Sequence, residues 1–402
     1  MIDRDNKDIA LAPLLVDHAP DDRYGEALRL WQGVPALEIT EDAERRRLWL
    51  SIMAGRTEMT HTYVCVQRSD DDGVRWSPPC LVVDGSAENL RIFDQVLWCA
   101  PDGGLWFFWS QMYGFGDGDG RVGCWEIHCP DPLADAPRWT KARRVANGVM
   151  RNKPTLRRDG AWLLPIAVWH DRMRRDLNWL PQEEYSNVYV SMDSGVSFQL
   201  LGRADVPDRD ADEHMLAQLS DGRLWMLVRA KYGIGQAFSS DGGRTWAQAG
   251  DSGIWGPTSR FFLRRLQSGC LLLVNHAPRE ETRRTKARSD LTAWVSPDDG
   301  RTWLGGLTLD DRAEVSYPDG FQRTDGRIFI AYDRERDKAR EVLLASFSEE
   351  EARTGCLREG ASFLRRVISR GASATRPGGA QDTDGADAER PRTASEDGGT
   401  NQ

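Results

Sequence analysis

Tyr317, in the phrase VSYPDGFQ, and Glu213, in the phrase DEHMLAQLSDGRLWMLVR, are two residues whose types could together do chemistry. A phenol with a reference pKa of about 10 is a poor nucleophile on its own. A carboxylate within reach can take its proton and make it a competent one. Arg229 closes the same phrase as Glu213, Arg260 stands in TSRFFLRRL, and Arg151 opens RNKP. Several guanidiniums at one place recognise an anion, a carboxylate above all, through their planar forks. A phenol also suits such a place. An aspartate or glutamate attacking the anomeric carbon of an acidic sugar would be repelled by the sugar's own charge, and a neutral phenol is not.

These residues are far apart in the chain, so a repeated scaffold must gather them. The stretches PDGGLWFFWS, RDGAWLLPIAVW, SDGRLWMLVR, QSGCLLLVN and TDGRIFIAYD each read as a tight turn followed by a short apolar strand. Their turn glycines, Gly103, Gly160, Gly222, Gly269 and Gly326, stand 57, 62, 47 and 57 residues apart. RRLWLSIMAG supplies a sixth copy with a degenerate turn. Within one unit the order is strand, turn, strand, strand, turn, strand, a four-stranded antiparallel meander. Six such sheets bury both faces only when packed radially, which predicts an all-β, six-bladed β-propeller. A β-sandwich would lack this period, and no helices alternate with the strands as a parallel sheet requires.

A second repeated phrase, S-x-D-x-G-x-[T/S/R]-[W/F], begins at Ser69, Ser191, Ser239 and Ser296. It reads as the hairpin between the third and fourth strands of a blade. The aspartates Asp71, Asp193, Asp241 and Asp298 accept turn N–H groups, and glycine supplies the left-handed backbone. The boxes are structural and carry no chemistry.

In a propeller the first strand of each blade runs along the central axis, so residues just before it crowd one rim of the funnel. Eight residues before the Asp or Ser of each turn stand Asp94, Arg151, Glu213, Arg260 and Tyr317, and QGVP set against RNKP nominates Gln32 for the first blade. This ring holds no aliphatic residue. Eight residues after the turn Asp or Ser stand Arg229, His276 and Asp333, with His170 similarly placed. The expected site is therefore Tyr317 and Glu213 as the reacting pair, with Arg229, Arg260, Arg151, Gln32, Asp94, His170 and His276 around the ligand.

A net charge of −9 argues against a general nucleic-acid binder. No apolar run is long enough for a membrane helix, and the N-terminus lacks the basic start of a secretory signal. The seven cysteines are scattered without zinc spacing, which points to reduced thiols in a cytoplasmic protein with no metal and no cofactor. The expected layout is an N-terminal segment 1–29 packing on the propeller, the propeller at 30–350, a C-terminal extension at 351–370, and a tail at 371–402. That tail is too rich in Gly, Ala, Asp, Ser and Pro to fold.

Over roughly residues 30–350, the boxes and the order of rim residues resemble the sialidase superfamily, six-bladed propellers with Asp-box (BNR) repeats. The resemblance implies a Tyr nucleophile matching Tyr317, its base matching Glu213, and two of three carboxylate-holding arginines matching Arg229 and Arg260. Two features depart from the pattern. The first arginine normally stands in F-R-I-P, where this chain has WQGVP, and Arg151 or Arg91 could refill the clamp. The acid/base Asp normally lies in the first blade's loop between strands two and three. Here that loop reads AGRTEMTHTY, offering Arg56, Glu58 or His61. The resemblance implies an exo-glycosidase acting on a terminal acidic sugar, sialic or uronic. Two alternatives stand beside it. One is a non-catalytic carbohydrate-binding propeller. The other is a lyase of uronate-containing glycans using His170, His276 and Tyr317.

Overall fold

The computed structural model describes residues 15–86, 89–114, 118–169, 174, 180–358 and 360–372. They form six antiparallel sheets, each built on a four-stranded meander in chain order. The axial strands are Trp31–Glu41, Leu90–Cys99, the pair Val149–Met150 and Thr155–Leu156, Met215–Gln218, Phe262–Arg265 and Val315–Gln322. Blade four shows the unit as the sequence reads it: Met215–Gln218, Leu224–Ala230, Gly233–Ser239 and Ala247–Asp251, each paired with the next. The second and third strands are buried nearly end to end, because both faces of a blade press on neighbouring blades. The layers between blades mix aliphatic and aromatic side chains. Trp98 of blade two meets Trp162 of blade three edge-on at 4.7 Å between ring centroids.

The boxes fall on the hairpins joining strands three and four, at the opposite end of each blade from the start of strand one. All four use one device. The Ser239 hydroxyl donates to Asp241 at 2.8 Å and accepts from the Gly243 N–H at 2.8 Å, while Asp241 accepts from the N–H and hydroxyl of Thr245. The Ser69, Ser191 and Ser296 boxes repeat the serine bonds. The glycine is required twice over at Gly195. Its φ is 85°, and a Cβ there would lie 2.5 Å from Trp106 and 2.6 Å from Trp162.

Both ends of the propeller extend past the sequence-based boundaries. Residues 351–370 are not an appendage. A helix, Glu349–Thr354, opened by a Ser348/Glu351 capping box, leads into Phe363–Arg370, the outer strand of blade six. The blade needs that strand to cover its third one, and FLRRVISR has too weak an alternation to announce it. At the other end Leu15–Asp17 adds a fifth strand to blade one against Leu81–Asp84. Tyr24 donates to Asp84 at 3.0 Å, and the buried Arg29 donates to the Tyr24 carbonyl. Residues 1–14 and the tail from 373 lie outside the described residues. No helix among the described residues is long and apolar enough to cross a membrane. The seven cysteines are free thiols, four of them buried.

Candidate active site

In four of the six blades the backbone kinks where the axial strand begins. In blades one, two and six the strand register shifts between Gly33 and Ala36, Phe93 and Val96, and Ser316 and Asp319. Inside these bulges Val34, Asp94 and Tyr317 take left-handed backbones, with φ of 56°, 48° and 55°, and Glu213 of blade four has φ 39°. For residues with a Cβ each such conformation costs about 1–2 kcal/mol, so the surrounding structure must enforce it.

This corrects the ring at one member. Val34, not Gln32, is the blade-one equivalent, so an aliphatic does occupy the axial place. Gln32 lies two residues earlier and is buried at the seam where blade six closes on blade one. Its amide donates to the Arg340 carbonyl at 2.7 Å and to Ser369 at 3.2 Å, and it accepts from Arg29 at 3.1 Å. The bulge, which the text QGVP does not announce, accounts for the displaced register.

Tyr317 and Glu213 meet. The Tyr317 hydroxyl donates to Glu213 Oε1 at 2.6 Å and accepts from Arg229 Nη1 at 3.1 Å, and Arg229 Nη1 lies 3.0 Å from Glu213 Oε2. Arg229 is aimed by its other arms: Nη2 to Asp210 at 3.1 Å and Nε to Thr258 at 3.2 Å, with Thr258 itself donating to Asp210. From below, Asn152 donates to the Glu213 carbonyl at 2.7 Å. Burial, and then the charge of Glu213, push the Tyr317 phenol up to about 12 against the pull of Arg229, Arg336 and Arg288. Burial also pushes the Glu213 carboxyl up, but Arg229, the phenol and Arg151 together bring it below its ordinary value. The resting pair is thus a neutral phenol beside a carboxylate, the state a base-assisted nucleophile requires.

Guanidiniums surround the Tyr317 ring, centred 5.2 Å away for Arg151, 5.7 Å for Arg288 and 4.2 Å for Arg336. Arg151 is held by the Gln95 carbonyl at 2.9 Å and lies 3.6 Å from Asp94. Burial raises the Asp94 carboxyl, an effect Arg151 only partly offsets. Arg336 binds Asp333 at 2.8 Å and Ser316 at 3.0 Å. Arg288 donates to the Thr258 carbonyl at 2.9 Å and, among the described residues, has no carboxylate partner. Burial and then the nearby Arg336 and Arg229 lower its pKa, despite the phenol's opposing pull.

Two further expected site residues fall elsewhere. Arg260 is a buried structural residue: it binds Asn152 at 2.6 Å, Asp319 at 2.9 Å and the Pro318 carbonyl. Asp319 also takes Lys153 at 3.2 Å, so this ionic knot ties blades three, five and six beneath the site. The position eight before the turn is right for Arg260, but its side chain runs under Tyr317 rather than beside it. His276 is wholly buried and donates from Nε2 to the Val315 carbonyl at 2.9 Å, and burial lowers its pKa to about 4. It is a neutral core histidine and no proton acceptor for a ligand. His170 lies outside the described residues. Arg288 and Arg336 were missed because both sit on connections rather than at strand ends. Arg288 lies in the basic loop TRRTKARSD, and Arg336 three residues past Asp333. Among the described residues no group of three or more His, Cys, Asp or Glu could hold a metal.

Fold and repeats together define a six-bladed BNR-repeat propeller. The chain belongs to the BNR repeat-like domain family, whose model matches residues 46–330. No curated protein sequence matches it. Among solved structures it is similar to the Hadza microbial sialidase Hz136, with 18% identity, a TM-score of 0.61, and coverage of 77% of this chain and 64% of that one. It therefore spans less than two thirds of that relative. The intramolecular trans-sialidase from Ruminococcus gnavus, in complex with oseltamivir carboxylate, matches at 12% identity and TM-score 0.61, covering 84% and 98% of the two chains. The leech intramolecular trans-sialidase matches at 12% and 0.60, covering 85% and 71%. At these identities the likeness is one of fold.

Proposed function

We propose that this protein is an exo-glycosidase that removes a terminal acidic sugar, sialic or uronic, through a covalent tyrosyl intermediate. The observation that carries the reading is the 2.6 Å bond from Tyr317 to Glu213 at the mouth of the propeller axis. Tyr317 Oη attacks the anomeric carbon as its proton passes to Glu213 Oε1, and the bond to the leaving oxygen breaks. Glu58 stands on the blade-one loop between strands two and three, its side chain half exposed and its Oε1 3.5 Å from Arg336 Nη1. In this reading Glu58 gives the leaving oxygen a proton and then takes one from the incoming water. Attack by that water releases the sugar, and Glu213 returns the proton to Tyr317. Arg229 and Arg288 hold the sugar carboxylate, Arg288 having among the described residues no acidic partner of its own to displace. Two similar structures bear the name of trans-sialidases and one that of a sialidase, which supports the substrate class.

The test is a panel of aryl glycosides of sialic acid, glucuronic acid and galacturonic acid, with neutral glucosides as controls. Release of the aryl alcohol from an acidic member, and from none of the neutral ones, is expected. Tight binding of acidic sugars without release of any aryl group would make the protein a carbohydrate-binding propeller instead.

A further inference from the structure

Blade one carries glycine at a place where blade six supplies the side chain. Gly33 precedes the axial bulge of the first strand, at the Gly33–Ala36 register shift. A Cβ built on it would stand 2.8 Å from both Cγ and Cδ of Arg336 and 2.9 Å from Asp333 Oδ2. The space that a blade-one side chain would fill is therefore taken by the Arg336 stem, entering from the end of the second strand of blade six. Asp333 holds this arrangement from both sides, accepting from Arg336 Nε at 2.8 Å and from the Val34 N–H at 2.7 Å. Trp31 lies below, its ring centre 6.0 Å from the guanidinium carbon. The guanidinium reaches the Tyr317 ring at 4.2 Å, nearer than Arg151 or Arg288.

We infer that Arg336, threaded over Gly33, is a specificity-determining residue of the site, and that Gly33 exists to admit it. A guanidinium has five N–H donors. Asp333 and Ser316 take two, and Glu58 Oε1 is 3.5 Å from Nη1. At least two donors are left for a ligand carboxylate seated against Tyr317, where Arg229 and Arg288 also stand. The arginine that completes the anion end thus comes from the last blade, and the blade-one to blade-six seam becomes part of the ligand site. The inference rests on the acidic-sugar reading above but not on turnover.

The experiment measures binding by titration calorimetry of N-acetylneuraminic acid and glucuronic acid, each beside its methyl ester. The proteins are the wild type, Gly33→Ala, Arg336→Ala, Arg336→Lys and the Gly33→Ala/Arg336→Ala double variant. Gly33 has no left-handed backbone, so alanine is conformationally allowed and acts by displacing Arg336 and by pressing on the Asp333 carboxylate that holds it. Arg336→Ala should weaken the preferred acid about 10- to 100-fold, as loss of a charge-assisted contact does, and leave its ester within about threefold. Gly33→Ala, which keeps every charge, should do the same, Arg336→Lys should fall between, and the double variant should be no worse than Arg336→Ala alone. Equal losses for acid and ester, an unchanged Arg336→Ala, a harmless Gly33→Ala beside a damaged Arg336→Ala, or a wild type that binds neither acid overturns the inference. A wild type that binds the acid selectively through Arg336 but hydrolyses nothing refutes the hydrolase reading and leaves this one standing.

Discussion

Replacing Tyr317 with phenylalanine removes one oxygen and separates catalysis from binding. The lost atom donates to Glu213 at 2.6 Å and accepts from Arg229 at 3.1 Å. Hydrogen bonds to charged groups contribute about 1.5–3 kcal/mol each. The stability loss should be nearer one such bond than two, because Glu213 and Arg229 remain 3.0 Å apart and keep each other. A fall of about 2 kcal/mol is the expectation, read as a modest drop in Tm with the ring still packed against Arg336. Ligand affinity should fall by no more than about tenfold, since only one polar contact to the ligand can go. Turnover should fall by at least about a thousandfold, or ~4 kcal/mol of transition-state stabilisation, because the oxygen that forms the covalent bond is gone. The assay is release of an aryl alcohol from the best acidic glycoside, beside titration of the free sugar. A Tyr317→Phe protein that turns over within tenfold of the wild type refutes the nucleophile and the mechanism built on it.

Arg288→Gln should leave Tm unchanged or raise it, since it removes a half-buried charge that has no carboxylate partner among the described residues, while weakening acidic sugars at least about tenfold; a drop in Tm with affinity intact would make Arg288 structural. Gln32→Ala should destabilise the protein by about 2–3 kcal/mol by stripping the blade-six seam of its amide, with the ratio of acidic to neutral substrates unmoved; a shift in that ratio would return Gln32 to the site. His214 and His276 are buried and held neutral, with pKa values lowered to about 4 from 6.5. The unfolded chain takes up their protons first, so the stability each contributes is complete above pH 6.5 and drains away as pH falls towards 4. Each is worth on the order of 3 kcal/mol over that window. Thermal melts of the wild type and of His276→Gln between those limits should show a shallower acid slope in the variant, and parallel slopes would disprove the assignment.

Much of this protein is legible one-dimensionally because a propeller repeats its local physics. A turn that needs glycine, a strand that needs apolar residues on both faces, and a box whose serine and aspartate close their own hairpin are short-range demands, and each leaves its letters at every blade. Counting from those turns locates Asp94, Arg151, Glu213, Tyr317 and Arg229, because strand length sets the distance from turn to rim. What the letters do not hold is which way a side chain runs once there. Arg260 and Arg229 are both arginines at rim positions. Only packing sends Arg260 to Asp319 and Arg229 to Asp210 and Tyr317. Gln32 and Val34 differ by a bulge that exists because the strand pairs as it does. Arg288 and Arg336 reach the site from connecting segments with no period to count along, and Gly33 has meaning only beside a residue some three hundred positions away. Composition and period determine the blades, since each blade's turns and strands form from local contacts. The contacts between blades decide the site, since its charges come from different sheets and meet only when the ring has closed.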